Sequence, residues 1–273
     1  MEPFRFRDLC KPPFDMGCDP AYFYESRIHG EALARLLYVV ADGGMGIGVL
    51  TGEIGSGKTM MLGVLRERVP RDRYRLISIP TAKFLFTDLL REFVLQLGGN
   101  ATAATGAYDV ARAFEQALEE RVLARGCHLV LVLDEAQFLD PGCLEELKCL
   151  TNITRGGRPA LTLLLAGQPE LRDHLRALPQ VYQRIGMVYH LNRLAADEVP
   201  AYVEHRLAVA GARSVLSFAA ACSEPLFEFS GGCPRQINRV CKLAVDRALM
   251  LDRQVVDAAL VQAIIQDIRQ QFG

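Results

Sequence analysis

The chain has 273 residues, 50% of them hydrophobic, and a formal net charge of −1, enough length for one large domain or two modest ones and too little charge for general attraction to nucleic acid or anionic lipid. Apolar runs such as Leu129 to Leu133, and Leu161 to Ala166 with Thr162 inside it, fall far short of the roughly 20 residues a membrane-crossing helix needs. Residues 1–11 mix Arg5, Arg7, Asp8 and Lys11 with apolar residues, so no signal peptide is expected and the expected location is cytoplasmic.

From Gly30 to Ala41 the residues Leu33, Leu36, Leu37 and Val40 follow the i, i+3, i+4, i+7 stripe of an amphipathic helix. Residues 46–51 predict a short buried strand, residues 58–68 a helix ended by Pro70, and residues 75–79 a second strand stopped at Pro80. Helices are expected at about 84–97 and 108–124, with a loop of Gly, Ala and Thr over 98–106 between them. The run 129–133 predicts a strand ending in Asp134-Glu135. A helix over 141–154 is then broken by Gly156-Gly157, and strands follow at 161–166 and about 187–190. Five strands alternating with helices predict an α/β fold with a parallel sheet. After Asn192 the pattern is helical, with candidates near 197–210, 217–229, 235–250 and 256–272. In the last, Val256, Leu260, Ile264, Ile268 and Phe272 recur every four residues.

The charge is even in both parts: residues 192–273 carry nine basic and nine acidic side chains. The local exception is 66–75, five arginines against two acids, which reads either as a solvated helix end and loop or as a contact for DNA or an anionic surface. The eight cysteines form no Cys-x-x-Cys pair and no Cys/His cluster, so reduced thiols are expected rather than disulfides or zinc.

Gly52-Glu53-Ile54-Gly55-Ser56-Gly57-Lys58-Thr59, followed by Met60, fits the phosphate-binding loop pattern and sits between a strand and a helix, as the chemistry requires. Glycines let backbone N–H groups curl around phosphate oxygens, and the helix N-terminus adds favourable potential. Lys58 is expected on the β- and γ-phosphates of ATP and the Thr59 hydroxyl on Mg. About 75 residues on, the strand 129–133 lifts Asp134 and Glu135 out at its C-terminal end, where open α/β sheets bind ligands. Asp134 is expected to hold Mg through water, and Glu135 to polarise the attacking water as general base.

Pro12-Pro13-Phe14, the stretch from Asp19-Pro20 through Tyr22-Phe23-Tyr24 and Ser26 to His29-x-Glu31-Ala32-Leu33, the loop 52–59, Asp134-Glu135-Ala136-Gln137, Gly167-Gln168-Pro169-Glu170-Leu171, Gln183-Arg184-Ile185 and Gly232-Cys233-Pro234-Arg235-Gln236-Ile237-Asn238 together resemble the ExeA/GspA-type AAA+ ATPases. The resemblance spans nearly the whole chain in order. It implies a P-loop AAA+ fold with a five-stranded parallel sheet and a small C-terminal helical lid, divided as 1–45 (linker and first helix), 46–191 (nucleotide-binding domain) and 192–273 (lid). It also implies that Gln168 is the polar sensor that aligns the attacking water, where the other reading is a plain turn residue before Pro169. Arg184 matches an arginine finger reaching into a neighbour's site, against a surface arginine. Arg235 matches the sensor that reports the γ-phosphate to the lid, against an ordinary helix-start arginine. Phe23, Tyr24 and His29 lie where the family's linker nears the base, and either pack on adenine or pack structurally against the first helix.

By the same resemblance the chain is a cytoplasmic ATPase that forms a homo-oligomeric ring or filament and works on a protein partner of secretion, pilus or exopolysaccharide and sorting machinery, peripheral to the inner membrane through that partner. The alternative is an ATP-dependent DNA-binding regulator of the MuB/TnsC kind, to which the family is distantly related. Cys18 replaces a small hydroxyl residue of the family and Met60 its second Thr; neither is a phosphate or Mg ligand. Longer members continue into a transmembrane segment and a peptidoglycan-binding domain, and the sequence stops at Gly273, so a wall-remodelling role is not expected of it alone.

Overall fold

Strands that are apolar at consecutive positions, without polar alternation, fit a parallel sheet covered on both faces. The computed structural model, which describes residues 11–80, 84–101, 106–212 and 216–272, contains such a sheet. In chain order come α1 (Arg27–Asp42), β1 (Ile47–Gly52), α2 (Lys58–Arg68), β2 (Tyr74–Pro80), α3 (Phe86–Gln96), α4 (Ala107–Arg121), β3 (His128–Asp134) and α5 (Pro141–Leu150). They are followed by β4 (Thr154–Arg155), β5 (Arg158–Pro159), β6 (Leu161–Gly167), α6 (Glu170–Arg176), α7 (Pro179–Tyr182) and β7 (Ile185–Leu191). The remainder is α8 (Val199–Val209), β8 (Ser217–Phe218), α9 (Ser223–Ser230), α10 (Pro234–Met250), β9 (Val255–Val256) and α11 (Ala258–Phe272).

The five-stranded sheet runs β2-β3-β6-β1-β7, every pair parallel. Every residue of β1 and β6 is buried, and all of β3 but His128, whereas the edge strands β2 and β7 are only partly covered. Because β3, β6 and β1 are neighbours running the same way, they end at one edge, in Asp134, Gly167 and Gly52. That edge is where sequence reasoning placed the chemistry.

The described residues divide into two units. One takes those of Glu31–Glu53 and Val64–Leu191, and so holds the whole sheet. The other takes those of Met1–Gly30, Ile54–Gly63 and Asn192–Gly273. The sheet unit has a continuous core from Ile47 to Val181, in which Phe93 of α3 and Phe114 of α4 meet with ring centroids 6.0 Å apart. Burying a ring of that kind stabilises the fold by about 1.5–3 kcal/mol.

The second unit has its own core, built from α8, α9, α10 and α11 around Phe14, Ile237, Val240 and Cys241. Arg206 of α8 is 3% exposed and anchors the N-terminal stretch. Its Nε donates to the Pro13 carbonyl at 2.7 Å, Nη2 to the Asp15 carbonyl at 3.0 Å, and its guanidinium lies 4.5 Å from the Tyr22 ring centroid. The Pro12-Pro13-Phe14 stretch is thus tied to the helical unit.

Three expectations need correction. The helix expected to Thr154 ends at Leu150, and 154–159 is instead a β-hairpin, β4 against β5. Gly156 and Gly157, at φ 58° and 78°, form the two-residue connection that needs positive φ at both positions. The region after Asn192 is not purely helical: β8 and β9 pair in parallel, so the helix expected from Ser217 starts at Ser223 and the one from Val256 starts at Ala258. Two-residue strands are too short to leave a periodic signal. The stripe expected from Val256 loses that residue to β9; on α11 Ile264 and Ile268 are buried together with Val261 and Ile265, Leu260 packs against the same core, and the Phe272 side chain lies outside the described residues. Among the described residues all seven cysteines are free thiols; burial pushes Cys143 up to about 12 and Cys241 well up, which makes both unreactive.

Candidate functional site

In the unit that holds it, the glycine loop leads straight into α2, whose first residue is Lys58. Gly55 and Gly57 take φ values of 80° and 106°, a conformation L side chains rarely adopt. A Cβ on Gly55 would also meet Arg235 Cβ at 2.8 Å and Cys233 Sγ at 2.9 Å. Arg235, exposed in the first turn of α10, donates its N–H to the Gly55 carbonyl at 3.4 Å, and Cys233 Sγ lies 3.6 Å from the Ile54 carbonyl. The N-terminus of α10, with Arg235 in its first turn, therefore sits directly on the loop. It can do so because the preceding turn is Gly231-Gly232: a Cβ on Gly232 would clash with the Leu194 carbonyl oxygen.

His29 supports the loop from its other side. Its Nε2 donates to the Ser56 carbonyl at 3.0 Å, and its Nδ1 accepts from Ser26 Oγ at 2.7 Å. A carbonyl only accepts, which fixes the proton on Nε2. Burial holds the His29 pKa below its ordinary value despite the bond to Ser56, so the ring is neutral near pH 7. Phe23 meets the His29 ring edge-on at 6.3 Å, and Tyr24 meets Tyr202 and His205 at 5.9 and 5.7 Å. Two of the three residues expected near the base are thus engaged with each other and the loop, and the third with α8.

The loop fits a phosphate chain. Among the described residues Ser56 Oγ is buried without a hydrogen-bond partner, and the N–H groups of Gly55, Ser56 and Gly57 find no backbone acceptor. Unsatisfied donors at a helix start are the elements of an anion cradle. Lys58 is buried, Glu53 and Thr59 are exposed, and Met60 is half-buried. A hydroxyl and phosphate oxygens are hard ligands suited to Mg, which keeps several waters.

In the sheet unit, β3 ends at buried Asp134, whose Oδ1 accepts the Glu135 N–H at 2.9 Å. Glu135 is one of only two non-glycine residues at positive φ among the described residues, at 52°. Such a conformation costs on the order of 1 kcal/mol and concentrates at functional positions. Gln137, to which the sequence alone assigns no role, lies at the centre of this site. Its Nε2 donates to Glu135 Oε2 at 2.6 Å, and its Oε1 accepts the Gln168 N–H at 3.0 Å. Only one orientation of the amide satisfies both bonds. Gly167 allows the approach, since a Cβ there would lie 2.6 Å from Gln137 Oε1. Glu135 and Gln168, just past the ends of β3 and β6, are therefore joined through one buried amide. The sign in the sequence was a glutamine two residues after a strand-ending acid, visible but without an identifiable partner.

Arg184 is exposed and precedes β7, so it lies at the N-terminal edge of the sheet, opposite the edge that carries Asp134 and Gln168. A seven-residue strand puts roughly 20 Å between those edges. The structure does not bring Arg184 to the carboxylates of its own chain.

Residues 41–175 match the AAA domain family. General secretion pathway protein A of Aeromonas hydrophila is 40% identical over 251 residues, which are 90% of this chain and 44% of that protein; the chain thus spans less than half of that relative's length. Among solved structures, the ADP form of the Aeropyrum pernix ORC2 protein has a TM-score of 0.74 at 21% identity, covering 95% of this chain and 73% of that one. The Thermotoga maritima RuvB Holliday junction branch migration motor gives 0.56 at 15% identity, covering 86% and 68%. The two structures share the fold.

Proposed function

The chain belongs to the AAA+ ATPases of the ExeA/GspA type, and we propose that it binds ATP with Mg at the 52–59 loop, hydrolyses it with Glu135 as general base, and uses the cycle to work on a protein partner. The observation behind the catalytic reading is the Glu135–Gln137–Gln168 link, which fixes the carboxylate of the base relative to the tip of the neighbouring strand.

In this reading Lys58 neutralises the β- and γ-phosphates while the loop N–H groups orient them. Thr59 and Asp134 are the proposed Mg ligands, Asp134 through water, and the metal would supply charge neutralisation on the phosphate oxygens. Glu135 takes the proton of the attacking water, and Gln168 aligns that water. Arg235, next to Gly55, reports the state of the phosphates to the helical unit. Arg184, on the far edge of its own sheet, is proposed to serve the site of a neighbouring copy, where a guanidinium offsets developing transition-state charge. That role makes a head-to-tail homo-oligomer part of the chemistry.

The process proposed is envelope export, from the 40% identity to a secretion pathway protein. No helix among the described residues is long and apolar enough to cross a membrane; the location proposed, on the same relative, is the cytoplasmic side of the inner membrane, held there by the partner. Mg-dependent phosphate release from ATP by the wild-type chain, abolished in Lys58→Ala, tests the activity. Co-purification of inner-membrane export components with an ATP-trapped Glu135→Gln chain tests the process.

A further inference from the structure

We infer that the N-terminal edge of the sheet, across the starts of β2, β3 and β6, is a binding surface for the phosphate backbone of duplex DNA. The surface shares no residue with the nucleotide loop or the carboxylate edge, so it stands or falls separately from the ATPase reading.

The segments entering these strands are 70–73, 124–127 and 154–159. They hold five arginines, Arg71, Arg73, Arg125, Arg155 and Arg158, against one acid, Asp72, in a chain of net charge −1. All five are exposed. Topology brings the segments together although they are far apart in sequence. The His128 N–H donates to the Arg73 carbonyl at 2.8 Å, Cys127 Sγ lies 3.4 Å from the Asp72 carbonyl, and the Leu129 N–H donates to the Ala160 carbonyl at 3.2 Å. Three adjacent strand starts span roughly 10 Å, wide enough to meet more than one phosphate.

The hairpin β4–β5 gives a second, independent pointer. Its rung beside the turn pairs Arg155 directly with Arg158. Like charges opposite each other in a ladder destabilise it. The nearest relief is an exposed ion pair from Arg155 to Glu119 at 3.9 Å, which contributes little. An anion seated between the two guanidinium groups removes the repulsion, and arginine forks match phosphate oxygens in bidentate geometry. Gly156 and Gly157 find no atom within 4 Å of an added Cβ, so this tip projects into open space.

The ligand class follows from what these segments contain. None has an aromatic residue on which unstacked bases could lie, and Tyr74, just beyond, is half-buried and edge-on to His128 at 6.1 Å. That favours a duplex backbone over single strands. None exposes a large apolar side chain that would enter a lipid surface. Binding of this kind is independent of base sequence and depends steeply on salt.

The test is fluorescence anisotropy of a short labelled duplex with the full chain, with and without a non-hydrolysable ATP analogue, at about 50 and about 200 mM salt. Wild-type protein should bind at the lower salt and lose affinity on the order of a hundredfold at the higher. Arg155→Glu/Arg158→Glu should weaken binding at least about tenfold and lower the salt slope by about 2. The charge-matched control Arg112→Glu/Arg176→Glu, on exposed helix positions elsewhere, should bind like wild type, and wild-type thermal midpoints and circular dichroism in both variants should show that they are folded. No duplex binding at low salt, equal losses in both double variants, or binding to phosphatidylglycerol vesicles without binding to duplex would each overturn the inference.

Discussion

Gln137 donates its side-chain amide to Oε2 of Glu135 at 2.6 Å while accepting the backbone N–H of Gln168 at 3.0 Å, so the base and the neighbouring strand tip share one buried group. Gln137→Leu removes both bonds with little change in volume. ATP turnover should fall by roughly ten- to a hundredfold with nucleotide affinity unchanged, since mutation of a residue that orients an active group costs about that much. Gln137→Glu sets a like charge beside Glu135, and the acid limb of the pH–rate profile should move to higher pH. A profile unmoved in that variant, together with full turnover in Gln137→Leu, would leave Gln137 a packing residue.

His29 and His128 make folding stability depend on pH. Burial holds both below the ordinary value of 6.5, so the unfolded chain binds more protons than the folded one between the lowered values and 6.5. Their contribution is fully present above about pH 6.5 and is lost as pH falls through that window. The thermal midpoint should therefore drop on acidification, and His29→Gln, which keeps a donor for Ser56, should drop less. Identical pH dependence in both proteins would rule out His29 as a source of it.

Arg206 stabilises the helical unit through carbonyls rather than through an ion pair. Replacing it with Met keeps the stem but leaves the Pro13 and Asp15 carbonyls and the Tyr202 hydroxyl without its guanidinium. The expected loss is roughly 2–4 kcal/mol. Lysine should recover little of it, because an ammonium cannot fork to the same acceptors. Denaturant midpoints of the two variants measure this, and a wild-type midpoint in either would contradict the assignment.

The sheet was legible in the sequence because Leu129 to Leu133 is an unbroken apolar run and Leu161 to Ala166 is interrupted only by Thr162, each stopped by polar or turn residues. The glycine loop was legible because it follows one such strand and opens a helix. Gln137 was not: its second partner, Gln168, is 31 residues further on and reaches it only through the pairing of β3 with β6. The 154–159 hairpin was hidden for a related reason, since two-residue strands carry no period and Gly156-Gly157 reads equally as a break. His29 looked like a candidate for the base or for helix packing, and its hydrogen bond to the Ser56 carbonyl became visible only in three dimensions.

The most direct test of the central claim is single-turnover ATP hydrolysis by Glu135→Gln beside wild type, with nucleotide affinity measured on the same preparations. If Glu135 is the general base, ATP affinity stays unchanged and turnover falls by about a hundredfold or more, the usual contribution of such a group. Wild-type turnover in Glu135→Gln would contradict it.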